Sequence, residues 1–224
     1  PAVIGAPFYV MEPVAGERPP MTPALAHELI DVLAALHSIP PESVGLADFG
    51  RPDGYLERQV RRWKKQLDAS RSRDIPGIDE LFQRLSRDIP RSGAPAIVHG
   101  DFKLGNTLIA GGKVRAVLDW EMSTLGDPLT DLALFLLYGD EAIDLDSEEK
   151  GEMANPEEIV AHYAEATGRD VSRLGWYLGL ACFKLAVIAE GIHFRYTQGL
   201  TVGEGFAEIG EHVGRLVARG LTEV

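Results

Sequence analysis

Cysteine is nearly absent: Cys182 is the single one among 224 residues. One thiol cannot close an internal disulfide, which excludes a disulfide-held scaffold and fits a reducing compartment, with the cytoplasm as the expected location. Cys182 sits inside the apolar run Leu178 to Ala189 and reads as a small core residue rather than a nucleophile. Positive charge is also short, with 22 Lys and Arg against 34 Asp and Glu, a formal net charge of -12. A general nucleic-acid or anionic-membrane surface needs clustered cations, so no nucleic-acid partner is expected. The charge is compatible with a cationic substrate, although solubility is the plainer reading. The longest apolar stretch, Leu174 to Ala189, is interrupted by Lys184 and is short for a bilayer span. It reads as a buried helix, and no transmembrane segment is expected. No charged-then-apolar leader is visible. The chain begins at Pro1 without Met and enters the strand-like run PFYVM almost at once, as a piece of a longer protein would.

What remains is an ordinary globular composition, 45% hydrophobic and 25% charged, enough to bury a core. Thr22 before Pro23 reads as a helix cap with Pro in the first turn. Leu25, Leu29, Val32, Leu33 and Leu36 recur at helical spacing, which predicts a helix from Thr22 to about Ser38. Leu56, Val60, Trp63 and Leu67 predict another over Tyr55 to Ala69, with Arg58, Arg61, Arg62, Lys64 and Lys65 on its other face. Ile78 to Arg87, Pro156 to Thr167, Leu174 to about Thr197 and Phe206 to Arg219 also read as helices. Asp127-Pro128 resembles a further cap, leading into Leu129, Leu132, Ala133, Leu136 and Leu137. Asp140 to Glu149 reads as a solvated acidic loop. Strands are few: Phe8 to Met11, Ala96 to Val98, Thr107 to Ile109 and Val114 to Leu118, the last two joined by the turn signal Gly111-Gly112. The fold class is therefore α+β, mostly helical with a small hairpin.

That hairpin carries the chemistry. In IVHGDFKLGNTLIAGGKVRAVLDWE, residues 97 to 121, two apolar runs end in polar residues. Asp101 follows one strand, Asn106 precedes the next, and Asp119 follows the strand that the glycine turn brings back. Asn106 and Asp119 thus meet at the open end of the hairpin. An amide oxygen and a carboxylate are hard ligands suited to Mg²⁺, which keeps waters and substrate phosphates as its other ligands. Asp101 beside them is free to accept a proton. One base and two magnesium ligands are what phosphoryl transfer from ATP needs.

His99-Gly100-Asp101, with Asn106 five residues after the Asp, has the shape of a kinase catalytic loop. HGDFKLGN, then LDWE, then GDPLTDLA resemble the aminoglycoside phosphotransferase and choline kinase family. YLERQVRRWKKQ, Tyr55 to Gln66, is nearest to the phosphotransferase domain fused to some acyl-CoA dehydrogenases and to its free-standing bacterial relatives. The resemblance runs from PFYVMEPVAG through the helices after 156. It implies a kinase-like large lobe over residues 17–224, with residues 1–16 as the end of a small lobe and the hinge. It implies ATP and Mg²⁺ as cofactors, Asp101 as base, Asn106 and Asp119 as metal ligands, and a small-molecule hydroxyl as acceptor. His99 and Asp131 would brace the loop, and Asp127 would cap the following helix. Met11, Glu12 and Val14 fall where the hinge would meet the adenine, through the Glu12 carbonyl and the Val14 amide. Pro13 lacks an N–H, but its amide would point away. Glu121 would touch metal-bound water or face solvent, and Lys103 reads first as a solvated loop lysine and second as a contact to the transferring phosphate.

One feature departs from the family. A small lobe supplies a phosphate-covering loop and a Lys, and only seven residues precede Phe8; the Gly-rich patches at 199–205 and 110–113 sit in the wrong place to replace them. The chain alone is therefore expected to be a poor kinase. The acceptor pocket is assigned least: Tyr138, His193, Arg195 and Tyr196 are candidates, with the helix bearing Arg58, Arg62 and Trp63. The basic face reads first as solvated and second as a site for a carboxylate or a CoA phosphate. A hydroxy-acyl compound is the first expectation, an aminoglycoside or choline-like alcohol the alternative. Two other classes are weighed: a non-catalytic binding module that kept the fold, and a hydrolase metal site at His99, Asp101 and Asp119. The hydrolase lacks further ligands at suitable spacing.

Overall fold

The computed structural model describes Gly5, residues 11–140, Ile143, residues 151–200, Phe206 and residues 208–224. The expected strand at Phe8 to Met11 falls outside the described residues except for Met11. The same holds for most of the acidic stretch Asp140 to Glu149 and of the 199–205 patch.

Seven α-helices and four short strands make up the described residues: α1 Pro23–Ser38, α2 Tyr55–Ser70, α3 Ile78–Arg87, β1 Ala96–Val98, β2 Thr107–Ala110, β3 Lys113–Val117, β4 Thr124–Gly126, α4 Leu129–Tyr138, α5 Pro156–Thr167, α6 Leu174–Thr197 and α7 Ile209–Glu223. The Leu25 amide donates to the Thr22 hydroxyl at 3.2 Å, so α1 starts where its cap residue directs. It buries Leu25, Leu29, Ile30 and Leu33. α2 buries Tyr55, Leu56, Val60, Trp63 and Leu67, leaving its basic face outward. Asn155 caps α5 by accepting from the Glu157 amide at 2.8 Å.

α6 is the axis of the fold. Its 24 residues span about 36 Å, and it packs against α2, α3, α4 and α7. Neighbours on several sides explain a helix that is apolar almost all round. It is the one helix among the described residues long and apolar enough to cross a bilayer, but 72% of its apolar window is buried inside the fold. Cys182 lies on it, and burial pushes its thiol up to about 12, as suits an inert core residue.

The sheets are two antiparallel pairs. β2 and β3 form the expected hairpin, Gly111 and Gly112 turning at φ 61° and 72°. β3 begins at Lys113 and ends at Val117, one residue earlier at each end than expected, and beyond it the Leu118 amide still donates to the Asn106 carbonyl at 2.7 Å. β1 pairs with β4, Val98 opposite Thr124. β4 was not expected; three residues with a polar start give too little pattern.

Two helix boundaries differ from expectation. α4 begins at Leu129, with Pro128 already in helical conformation, and Asp127 still caps it by accepting from the Leu129 amide at 3.1 Å. α7 runs Ile209–Glu223 rather than Phe206 to Arg219, through Gly220. Gly220 is a contact residue rather than a terminator: a Cβ there would lie 2.8 Å from Leu81 Cδ2 and 3.0 Å from Cys182 Cβ. Leu81 and Cys182 are fully buried and have nowhere to move.

Two glycines of α7 should therefore respond oppositely to alanine. Gly214 faces open space, so Gly214→Ala should stabilise by about 0.5–1 kcal/mol through helix propensity. Gly220→Ala should destabilise by about 1–3 kcal/mol through overpacking. Urea unfolding of both variants checks this, and equal shifts would refute the packing account.

Candidate active site

The loop between β1 and β2 is held from below by one carboxylate. Asp131, fully buried in the first turn of α4, accepts from the His99 amide through Oδ2 at 2.7 Å and from the Gly100 amide through Oδ1 at 2.8 Å. His37 of α1 places Nε2 3.3 Å from the same Oδ2, and its Nδ1 meets the Tyr163 hydroxyl of α5 at 2.7 Å. Gly100 takes φ 87°, and a Cβ there would sit 2.7 Å from the Met122 carbonyl oxygen. Only glycine meets both demands.

His99 spans the loop and the hairpin. Its Nε2 lies 2.8 Å from the Leu118 carbonyl and its Nδ1 lies 3.2 Å from the Asp101 amide. A carbonyl only accepts and an amide only donates, so Nε2 carries the proton and Nδ1 accepts. The ring is fully buried against Trp120, with centroids 4.8 Å apart. His99 thus braces the loop and has no ring nitrogen left for other chemistry.

Asp101 is fixed from two sides. Asn106 Nδ2 donates to the Asp101 carbonyl at 2.8 Å and to its Oδ2 at 3.0 Å. The Tyr138 hydroxyl donates to Oδ1 at 2.6 Å. The Leu118 amide, bonded to the Asn106 carbonyl, draws the two ends of the hairpin together. Asp119 follows at once, at φ 63° and ψ 56°, the single non-glycine left-handed residue among the described residues. Such a conformation costs an ordinary side chain about 1 kcal/mol or more. It turns the chain sharply off the strand and leaves Asp119 exposed at the hairpin mouth.

This donor set fits Mg²⁺. Asn106 spends its Nδ2 on Asp101, which leaves its Oδ1, and Asp119 offers a carboxylate; both are hard oxygens. No group of three or more His, Cys, Asp and Glu able to hold a metal exists among the described residues. An ion held by these two oxygens would be completed by waters and phosphates.

Beside the loop lies a cavity of about 370 Å³, bounded by α2, the Trp120–Met122 turn, α4 and α6. Arg58, Arg62, Gly100, Glu121 and Lys184 are among its walls. Lys184, only 8% exposed, donates to the Gly100 carbonyl at 2.6 Å. Sequence reasoning missed it as a site residue, although a lysine breaking an apolar helix was the signal. Burial holds its ammonium below the ordinary value, opposed by the charges of Asp101 and Asp131. Arg195 and Tyr196 stand exposed at the far end of α6 and do not line this cavity. Eleven helical residues, about 16 Å, separate Arg195 from Lys184. Tyr138 does enter the site, by bonding Asp101. At the chain's start Met11, Glu12 and Val14 are exposed, and Glu17 pairs with Ile109 of β2 in both directions, at 2.8 and 2.9 Å. A larger cavity of about 690 Å³, lined by Asp127 and Arg169 among others, reaches none of Asp101, Asn106 and Asp119.

A family model described as "Phosphotransferase enzyme family" matches residues 1–177, and the chain belongs to that family. It is 37% identical over 243 residues to "Acyl-CoA dehydrogenase family member 11" of Gallus gallus, which covers 98% of this chain and 31% of that protein. The chain thus spans less than a third of the acyl-CoA dehydrogenase relatives it matches. Among solved structures, a Ralstonia eutropha protein assigned to the aminoglycoside phosphotransferases superposes with a TM-score of 0.82 at 28% identity, over 96% of this chain and 70% of that one. A choline/ethanolamine kinase family protein of Mesorhizobium loti shares the fold, with a TM-score of 0.58 at 17% identity, over 90% of this chain and 66% of that one. The resemblance read from the motifs holds, as does the kinase-like α+β fold.

Two predictions follow from the buried groups. Asp131→Ala leaves two backbone donors without acceptors and should cost about 2–5 kcal/mol in urea unfolding; a loss near zero would show that the loop does not depend on it. Lys184 has a lowered folded-state value, so in the alkaline window below its ordinary 10.5 the unfolded chain binds a proton that the folded chain does not. Its contribution to stability therefore rises with pH through that window. Lys184→Met should lack this rise in unfolding series run from neutral to alkaline pH, and parallel profiles would refute it.

Proposed function

We propose that this chain is the larger part of an ATP- and Mg²⁺-dependent phosphotransferase that phosphorylates a hydroxyl of a small molecule. The observation that carries the reading is Asp101, held by Asn106 and Tyr138 with Asp119 at the same hairpin mouth. Asp101 orients the acceptor hydroxyl and takes its proton. Its two oxygens are already positioned by donors, so little reorganisation is needed. Asn106 Oδ1 and the Asp119 carboxylate would hold the magnesium ion, which would supply neutralisation of phosphate charge. His99, Asp127 and Asp131 keep this loop and its neighbouring helix in register.

Residues 1–16 serve as small-lobe end and hinge, and 17–224 as the large lobe. The pairing of Glu17 with Ile109 supports this, because it ties the segment bearing Met11, Glu12 and Val14 to the strand that starts after Asn106. The likeness to acyl-CoA dehydrogenase family members favours a hydroxy-acyl acceptor over an aminoglycoside or choline-like alcohol.

Isothermal titration of Mg-ATP into the full-length protein tests the reading. Asp119→Ala should abolish the magnesium-dependent part of binding. Asp101→Asn should leave binding intact while cutting phosphoryl transfer by about 10²–10⁴-fold. Nucleotide binding indifferent to magnesium and to Asp119 would overturn the assignment in favour of a binding module.

A further inference from the structure

The charge of the chain and the charge of the cavity beside Gly100 have opposite signs. Against a net charge of -12, this cavity gathers Arg51, Arg58, Arg62 and Lys184 around one carboxylate, Glu121, which is itself exposed. Arg58 is committed to structure, donating to the backbone carbonyls of Arg51 and Asp53. Arg51 and Arg62 form no ion pair among the described residues. Arg73, which also packs toward α6, is by contrast neutralised by the buried Glu190 at 3.1 Å. Arg62 instead lies over the Trp63 ring, its Cζ 5.2 Å from the centroid, a contact that does not neutralise its charge. Lys184 uses one of its ammonium protons on the Gly100 carbonyl and has others to offer.

Lys184 is buried and Arg51 and Arg62 stand exposed around it, so the cavity brings like charges together at a cost in mutual repulsion. Such a group is rational where an anion completes it. An arginine fork and an adjacent ammonium are the donors that bind carboxylate or phosphate oxygens. At about 370 Å³ the cavity falls within the roughly 300–1,000 Å³ usual for small-molecule sites. Gly100 forms part of its wall and immediately precedes Asp101, which sets the cavity next to the proposed base.

We propose that this cavity is the acceptor's anchoring site and that the acceptor is anionic, carrying a carboxylate or phosphate at one end and the reacting hydroxyl at the other. The proposal rests on the phosphotransferase reading for the reacting end alone; the anion site stands on the cavity. It sets this chain apart from a site for polycationic or quaternary-ammonium alcohols, which four cations would repel. Arg62 is the specificity-determining residue, with Lys184 at the base of the cavity.

Four alcohols of similar size test it: glycerol 3-phosphate, glycerate, glycerol and choline, each titrated into the full-length protein without nucleotide or magnesium and followed by ligand-observed NMR. At least one of the two anions should bind, more weakly as salt is raised, while glycerol and choline should not. Whichever anion binds tells phosphate from carboxylate. Arg62→Gln should weaken anion binding about tenfold or more, Arg62→Lys should retain part of it, and neither should shift the unfolding midpoint, because Arg62 is exposed. Choline or glycerol binding as well as the anions, no binding by any of the four, or unchanged affinity in Arg62→Gln would overturn the proposal. Because nucleotide is omitted, loss of Mg-ATP binding would sink the phosphotransferase reading while leaving an anion site, and the reverse result would sink the anion site alone.

Discussion

A carboxylate with no access to water must find its partners within the protein, and Asp131 finds them in the backbone of the loop it supports. Two amide protons, from His99 and Gly100, point at its two oxygens. A buried charge left alone would cost several kcal/mol; bonded in this way it ties the start of α4 to the end of β1. The contact extends outward through His37 to Tyr163, so α1 and α5 also bear on the loop. On the other side His99 reaches the end of β3. Five elements thereby converge on three residues of backbone, and the position of Asp101 follows from that convergence.

The same arrangement separates rigidity from exposure. Asp131, His99 and Thr107 are buried and serve geometry. Asp101 is half-buried and Asp119 exposed, on the solvent side of the loop. The left-handed turn at Asp119 is strain placed next to the chemistry, and the paired strand behind it keeps the turn from relaxing.

Much of this was legible in the residues. The Gly111-Gly112 turn, the cap at Thr22 and the periodicity of α1 to α3 are local signals, and local signals survive in a single sequence. Asp101, Asn106 and Asp119 were legible because a hairpin must bring its ends together. β4 was not, because three residues become a strand only through β1, almost thirty positions away. The last turn of α7, beyond Arg219, was not read as helix; Gly220 lies within it, where neighbouring helices leave no room for a side chain. Lys184 was visible as an anomaly, but its partner, the Gly100 carbonyl, is a backbone atom 84 residues distant, and no side-chain pattern marks that contact. Arg195 and Tyr196 were chosen by residue type, and the length of α6 carries them away from the loop.

Helix α2 has two faces with separate obligations. Leu56, Val60, Trp63 and Leu67 are locked into the core, whereas Arg58 and Arg62, one turn apart, border the cavity. Arg58 holds the Arg51 and Asp53 carbonyls, but exchanging the exposed Arg62 alters no buried volume, and the machinery around Asp101 is anchored to other helices. A lineage can therefore retune what it accepts by point changes along one solvent-facing edge while inheriting its reaction centre intact. On the proposed reading, this modularity gives one scaffold a route to unrelated alcohols without passing through an unfolded ancestor.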